Sequence, residues 1–532
     1  MSFEVYDTTL RDGAQQEGIN LSVADKLLIA PLLDELGVSF IEGGWPGAVP
    51  KDTDFCARAQ KELNLKNAVL AAFGATRKVG LEASKDPQVR SLLDSQAPVI
   101  TLVAKSDIRH VERALRTNGD ENLLMIAETV AYLISEGRKV IVDAEHFFDG
   151  FRFDPQYALQ AVKVAFDAGA QTVALCDTNG GMLPNWVSEI VTEVQSQNPG
   201  KKLGIHAHND TGCAVANSLA AVLAGAEHVQ GTVNGYGERT GNADLVTVLA
   251  NLEIKLGIKT LQGDGLPEST RIAHAISEIT NISPYARQPY VGASAFAHKA
   301  GLHASAIRVD PDLYQHMNPQ LVGNDMRMLV SEMAGKASIE LKGKELGFDL
   351  SGQDELLSRI TQEVKTAEAA GYTYEAADAS FELLLHKAVY GQLPDYFSVE
   401  SWRVIVDRLG HRGTETRSEA TVKINAGPKR VMTVGEGNGP VNALDHALRG
   451  ALEEVYPKIA DFKLIDFKVR ILDQSAGTDA ITRVLIESSD GTSTWSTVGL
   501  GPNILAASWE ALTDSALYGL LKNGVEPEKP QS

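Results

Sequence analysis

The chain has 532 residues, 44% of them apolar and 22% charged, with a formal net charge of −20 and three cysteines, Cys56, Cys176 and Cys213. That length leaves room for several domains and a large core. The acidic balance argues against a general nucleic-acid binder and against an anionic membrane surface, and so few cysteines give no disulfide framework and point to a reducing cytoplasm. The stretch MSFEVYDTTL lacks the basic and apolar regions of a secretory signal, and no run of about 18 apolar residues occurs, so no membrane span is expected.

The first half alternates β-branched runs with amphipathic helical segments. The runs cover residues 3–10, 38–46, 67–74, 97–104, 138–145, 171–178, 201–208 and 227–235. Many of the helical segments between them close on Gly, as a helix C-terminus does. Eight strand–helix units in about 250 residues predict a (β/α)8 TIM barrel, an α/β fold. A doubly wound sheet is the alternative, but TTLRDGAQ is not the Gly-rich phosphate loop it would want. Polar residues gather at the C-terminal ends of the runs: Asp12, Glu42, Glu145, Asp177 and Thr178, His206 and His208, and Asn234. In a barrel those ends share the face where active sites lie. One carboxylate there is usually a helix cap or loop anchor; six ends carrying Asp, Glu, His or Asn suggest more.

The barrel is expected to occupy residues 1–270 and a helical linker 271–390, followed by an α+β domain at 391–523 and a polar tail at 524–532. From about 396 strands return. RVMTVGEGNGPVNALDHAL (430–448) resembles TWSTVGLGPNILAASWEAL (494–512), which predicts a pseudo-twofold β-β-β-α repeat. In each copy a strand ends in Val-Gly-x-Gly before a helix. Such glycines either make tight turns only or open a helix N-terminus to a carboxylate.

GIHAHNDTGCA (204–214) carries the sharpest signal. Side chains alternate along a strand, so His206 and His208 point the same way. They are either metal ligands or hydrogen-bonded core histidines. Asp12, in DTTLRDGAQQEG, can add a carboxylate oxygen, and such a mixed set suits Mn2+, Mg2+, Co2+ or Zn2+. Arg11 beside it can stabilise an oxyanion, or merely pin the loop by pairing with Asp12. NGYGERTGNADL (234–245) is no dinucleotide fingerprint, but its Asn242 can supply a neutral oxygen.

These segments resemble the family of isopropylmalate, homocitrate and citramalate synthases, metal-dependent acyl-CoA condensing barrels. Leu10 to Gln15 followed by Lys26 matches its first signature, His206 to Gly212 its second, and FAHKAGLHASA (296–306) a third block. The C-terminal domain resembles the family's regulatory dimerisation domain. FIEGGWPGAVPKD (40–52) is similar to the longer citramalate-forming members. The resemblance implies that Asp12, His206, His208 and Asn242 hold a divalent metal, and that Arg11, Thr178 and Gln15 bind substrate. It implies catalytic roles for Arg11, on the enolate or alkoxide oxygen, and for Glu145, on substrate and water. His303 and Tyr314 would reach the barrel of a partner subunit. His303 is the candidate base toward the methyl of acetyl-CoA, since imidazole titrates near operating pH. The expected reaction is condensation of acetyl-CoA with pyruvate and thioester hydrolysis, giving (R)-citramalate and CoA. It would be a committed step of a threonine-independent route to isoleucine, with isoleucine as effector and a homodimer as the assembly. Trp45 either fills space beside the substrate or packs between helix and barrel. Rival readings are the same chemistry on 2-oxoisovalerate or 2-oxoglutarate, a lyase on the same barrel, and a metal-stabilised sensor.

Overall fold

The computed structural model describes residues 3–409, 415–472 and 480–529. Each of the eight apolar runs supplies one parallel strand: β1 Glu4–Asp7, β2 Phe40–Glu42, β3 Val69–Ala75, β4 Val99–Lys105, β5 Lys139–Glu145, β6 Thr172–Asp177, β7 Lys202–Ala207 and β8 His228–Gly231. They close into a barrel in sequence order, with β1 pairing β8 from Glu4 opposite His228 to Asp7 opposite Gly231. All six residues of β6 are buried, as expected for a parallel strand covered on both faces. The intervening helices carry their own start and stop signals. Helix Val23–Leu36 opens with a capping box between Ser22 and Asp25 and ends on Gly37 at φ 94°.

The main core lies between strands and helices. A smaller cluster, Tyr6, Phe40, Ala71, Val99 and Ile141, fills part of the barrel interior. The His228 ring sits against it, 5.5 Å from Tyr6 and 6.3 Å from Phe40.

The first compact unit runs to Phe296 and includes Met317–Asp325, so it extends past the boundary expected at 270. The reason is helix Ser269–Thr280, whose Ile272, Ala273 and Ile276 are buried in the barrel-side core together with Tyr290, Val291, Phe296 and Val322. Its apolar spacing reads equally well as an appendage helix, and only its packing on helix Val23–Leu36 assigns it to the barrel.

The second unit contains Ala297–His316 and the chain from Met326 onward. It begins with the short strands β9 Ala297–His298 and β10 Arg327–Met328. Helices Lys336–Glu345, Asp354–Ala370 and Asp378–Tyr390 surround a small core that includes Ile339, Leu357, Ile360, Val364 and Phe381. The repeat follows. Strands β11 Ser398–Leu409, β12 Glu415–Ala426 and β13 Lys429–Gly437 form one antiparallel sheet under helix Pro440–Glu453. Strands β14 Lys463–Ile471, β15 Thr482–Ser489 and β16 Thr494–Gly501 form the other under helix Ile504–Lys522. The Val-Gly-x-Gly glycines serve close packing. A Cβ at Gly435 would stand 2.4 Å from Ala447 N, and one at Gly499 1.9 Å from Ala507 O, so only glycine lets each helix lie this near its strand. Among the described residues no helix is long and apolar enough to cross a membrane.

Candidate metal centre and catalytic cavity

A cavity of about 370 Å³ opens at the C-terminal ends of the barrel strands. Arg11 and Asp12 reach it from the loop after β1, Glu145 from the end of β5, Thr178 from just beyond β6, and His206 and His208 from β7 and the residue after it. Gln15 and Trp45 also line it.

Asp12, His206 and His208 are buried and come together as the sequence predicts. His206 Nε2 is 3.3 Å from Asp12 Oδ2 and His208 Nε2 is 3.9 Å from it. One donor atom from each of the three lies within 4.8 Å of the others. Asn242 joins them through an isolated antiparallel bridge with His208. Its Nδ2 donates to Tyr236 O at 2.9 Å, which leaves Oδ1 as the free end. Asp12 Oδ1 and Asn242 Oδ1 are buried with no hydrogen-bond partner, and unpaired buried oxygens are what a cation site requires.

The electrostatics agree. Burial pushes the Asp12 carboxyl up, but Arg11 and the two histidines outweigh it and hold the group well below the usual carboxylate range. Burial, then His206, takes His208 down to about 4, so its imidazole is a neutral donor at pH 7. His206 differs: burial works against its charged form, yet Asp12 outweighs it and moves His206 up, toward a protonated ring whose Nε2 proton a bound cation would displace. Two oxygens and two imidazole nitrogens of this kind fit a divalent cation.

Arg11 is held more firmly than an Arg11–Asp12 pair alone would hold it. Its Nε donates to Glu42 Oε2 at 2.6 Å, its Nη1 lies 3.3 Å from Asp12 Oδ2, and its guanidinium carbon sits 3.9 Å from the Phe73 ring centroid. Tyr6 donates to the other Glu42 oxygen at 2.9 Å. Glu145 is ion-paired with Lys105, a neighbour on β4 that the sequence reading does not single out. Thr178 Oγ1 accepts the His146 backbone N–H at 2.8 Å, which leaves its own hydrogen to donate into the cavity. Two strand-end residues are loop anchors. Asp177 accepts the Gly181 and Met182 N–H groups, and Asn234 donates to Ala273 O and Ser277 Oγ. His303 and Tyr314 belong to the second unit, where their rings lie 4.1 Å apart at 30°.

Residues 2–273 match the HMGL-like family, 290–371 the homocitrate synthase post-HMGL domain-like family, and 375–520 the LeuA allosteric (dimerisation) domain. An (R)-citramalate synthase of Streptomyces coelicolor is 61% identical over 526 residues, spanning 99% of this chain and 98% of the relative. One of Aquifex aeolicus is 48% identical over 522 residues, spanning 98% of each. The chain belongs to the (R)-citramalate synthase family. A probable 2-isopropylmalate synthase of Methanopyrus kandleri is 32% identical, spanning 95% of this chain and 96% of that protein.

Membership in the citramalate synthase family gives the stretch from Phe40 to Asp52 its interest. Trp45 lines the cavity, where its ring packs edge-on against that of Phe73 on β3 at 5.2 Å. Lys26, part of the first signature, is buried away from the cavity lining. Its Nζ bonds Asp52 Oδ1 at 2.5 Å and Gly43 O at 2.9 Å, while Asp52 Oδ2 accepts the Trp45 backbone N–H at 2.9 Å. Gly44 has φ 142°, and a Cβ there would meet the Asp52 carboxyl carbon at 2.3 Å. Gly44 therefore lets the loop close over the Lys26–Asp52 pair. Asp143, Lys105, Phe73 and Gln230 are missed by sequence reasoning. Asp143 stands two residues before Glu145 on the same strand, and that period of two is the signal that points to it.

Proposed function

We propose that this chain condenses acetyl-CoA with pyruvate and hydrolyses the product thioester, releasing (R)-citramalate and CoA. The observation that carries the reading is near full-length identity to (R)-citramalate synthases, joined to the Asp12–His206–His208 cluster in the barrel cavity. A divalent ion held by those residues and Asn242, of the kind Mn2+, Mg2+, Co2+ or Zn2+, would act as Lewis acid on the keto group.

The protein groups supply the rest. Thr178 donates its hydroxyl hydrogen to the pyruvate carboxylate, with Gln15 also lining the cavity. Arg11, fixed by Glu42 and Phe73, faces the negative charge that develops on oxygen. His303, its ring lying against Tyr314, takes a proton from the methyl of acetyl-CoA. The methyl carbon then bonds to the keto carbon. Glu145 positions the water that adds to the thioester carbonyl, the C–S bond breaks, and CoA leaves as the thiol. His303 and Tyr314 of one protomer serve the barrel of its partner in this reading.

The C-terminal domain, 391–523, acts as the regulatory and dimerisation domain, with isoleucine as effector of a committed step toward isoleucine in the cytoplasm. Two observations support that. Ile405, Met432 and Val434 are exposed on one face of the β11–β13 sheet, as a surface that pairs with a second copy would be. A cavity of about 550 Å³ at the start of helix Pro440–Glu453, lined by Val441, Asn442, His446, Leu464 and Phe467 among others, has the apolar and polar groups an amino acid needs.

The test is thiol release from acetyl-CoA with pyruvate, 2-oxobutyrate, 2-oxoisovalerate or 2-oxoglutarate, each with and without a chelator. Chelator-sensitive release selective for pyruvate is expected. Preference for 2-oxoisovalerate or 2-oxoglutarate would assign isopropylmalate or homocitrate synthesis instead. Release without any oxo acid would assign a lyase, and no release at all a sensor.

A further inference from the structure

Beneath the proposed ligands, a chain of hydrogen bonds runs down the inside of the barrel. His206 Nδ1 lies 2.8 Å from Gln230 Oε1. Gln230 Nε2 donates to Asp143 Oδ1 at 2.8 Å and lies 3.3 Å from His228 Nε2. His228 Nδ1 lies 3.1 Å from Glu4 Oε2, and Glu4 is held in turn by Lys202 Nζ at 2.7 Å and Gln171 Nε2 at 2.9 Å. Strand register builds this line: His206 stands opposite Gln230, and His228 opposite Glu4. Gln230 and His228 are wholly buried.

We propose that Gln230 is a positioning residue that fixes His206 with its hydrogen on Nδ1, so that Nε2 is the nitrogen offered to a divalent cation. The proposal rests on the metal reading above. A buried Gln has two donor hydrogens and one acceptor oxygen, and a histidine ligates only through a nitrogen free of hydrogen. With Oε1 toward His206, every group in the line is satisfied. His206 Nδ1–H donates to Oε1; one amide hydrogen goes to Asp143 and the other to His228 Nε2; and His228 Nδ1–H donates to Glu4.

Turning the amide over fails in three places. The amide hydrogens would then face His206 Nδ1 and drive its hydrogen onto Nε2, the ligating nitrogen. Oε1 would face the Asp143 carboxylate and His228 Nε2, so each of those buried groups would need an added proton. Glu4 supports the first arrangement. Burial works to raise its carboxyl, but His228 and Lys202 outweigh it and hold it down to about 2, so Glu4 remains an acceptor for His228. Partners behind metal-bound histidines commonly change affinity by about 10–100-fold when removed.

Two readouts that do not use turnover test this. The first is long-range proton–nitrogen NMR of histidine-labelled, Zn2+-loaded protein. The second is Zn2+ affinity by competition with a chelating dye, for wild type, Gln230→Met and Gln230→Glu, with thermal melts to check folding. Wild-type His206 is expected to carry its hydrogen on Nδ1. Gln230→Met, which removes the acceptor, should bind Zn2+ about 10–100-fold more weakly. Gln230→Glu keeps an acceptor and can share a proton with Asp143, so it should recover most of that loss; a merely packing role would show no such rescue. A His206 hydrogen on Nε2 in the Zn2+-loaded wild type overturns the proposal whether or not the variants fold. So does a folded Gln230→Met that binds Zn2+ as tightly as wild type. Wild-type protein that takes up no Zn2+ would instead overturn the metal reading itself, and this role with it.

Discussion

Lys26 and Asp52 meet at 2.5 Å beneath the loop that carries Trp45, with side chains only 2% and 7% exposed. Removing one member of so buried a pair strands the other charge, and about 3–5 kcal/mol of stability should be lost in either Lys26→Met or Asp52→Leu. The double variant should recover most of that. Urea unfolding of all four proteins checks the cycle. Because Asp52 also holds the Trp45 N–H, the single variants should raise the KM for pyruvate more than they lower kcat.

His208→Ala should abolish metal uptake and turnover while leaving the far-ultraviolet circular dichroism and the melting profile close to wild type. Full activity in that variant would remove the metal assignment.

Glu42→Gln keeps a hydrogen-bonding group beside Arg11 but loses the charge that aligns the guanidinium at 2.6 Å. Charge-assisted hydrogen bonds contribute about 1.5–3 kcal/mol, so kcat should fall by about one to two orders of magnitude with a smaller change in KM. Steady-state kinetics with pyruvate as the varied substrate measures it.

Two carboxyls on β1 should respond to pH in opposite senses. Glu4 is held down to about 2, with burial outweighed by His228 and Lys202, so its contribution is present above the unfolded value and lost as pH falls toward 2. Asp7 is pushed up to about 7 by burial, so its contribution is present below the unfolded value and lost as pH rises to 7. Each effect is bounded by about 1.4 kcal/mol per pH unit. Denaturation profiles should show that Glu4→Gln flattens the acid limb. Asp7→Asn should gain on wild type as pH rises from about 4 to 7.

Val441→Phe narrows the cavity beside helix Pro440–Glu453. It should leave kcat within about twofold and weaken isoleucine inhibition at least about tenfold, a change of roughly 1.4 kcal/mol or more in effector binding. Deleting 391–532 should abolish inhibition. Dose–response curves against isoleucine check both, and retained inhibition would place the effector elsewhere.

The barrel is legible in the sequence because each strand is a short β-branched run, and helices such as Val23–Leu36 stop on a glycine. Asp12, His206 and His208 are legible because they crowd strand ends. What stays hidden is the inside. Gln230 within EHVQGTV reads as an ordinary polar position, since alternation cannot tell a solvent-facing residue from one facing a barrel axis. Lys105 is hidden because its partner Glu145 comes from the neighbouring strand, and Asp143, though in step with Glu145, finds its partner Gln230 only across the barrel. The end of the barrel unit is obscure because helix Ser269–Thr280 has the spacing of any packed helix.

The polar line from His206 to Glu4 also bears on how the barrel closes. Its links join β7 to β8 and β8 to β1, the seam where the first strand meets the last. A slip of one residue in β8 would turn His228 and Gln230 outward and leave His206, Asp143 and Glu4 facing one another in a dry space. Alkyl side chains tolerate such a slip far better. The seam thus works as a check on alignment: a β8 out of step with β7 and β1 would leave the buried polar groups of this line without their partners.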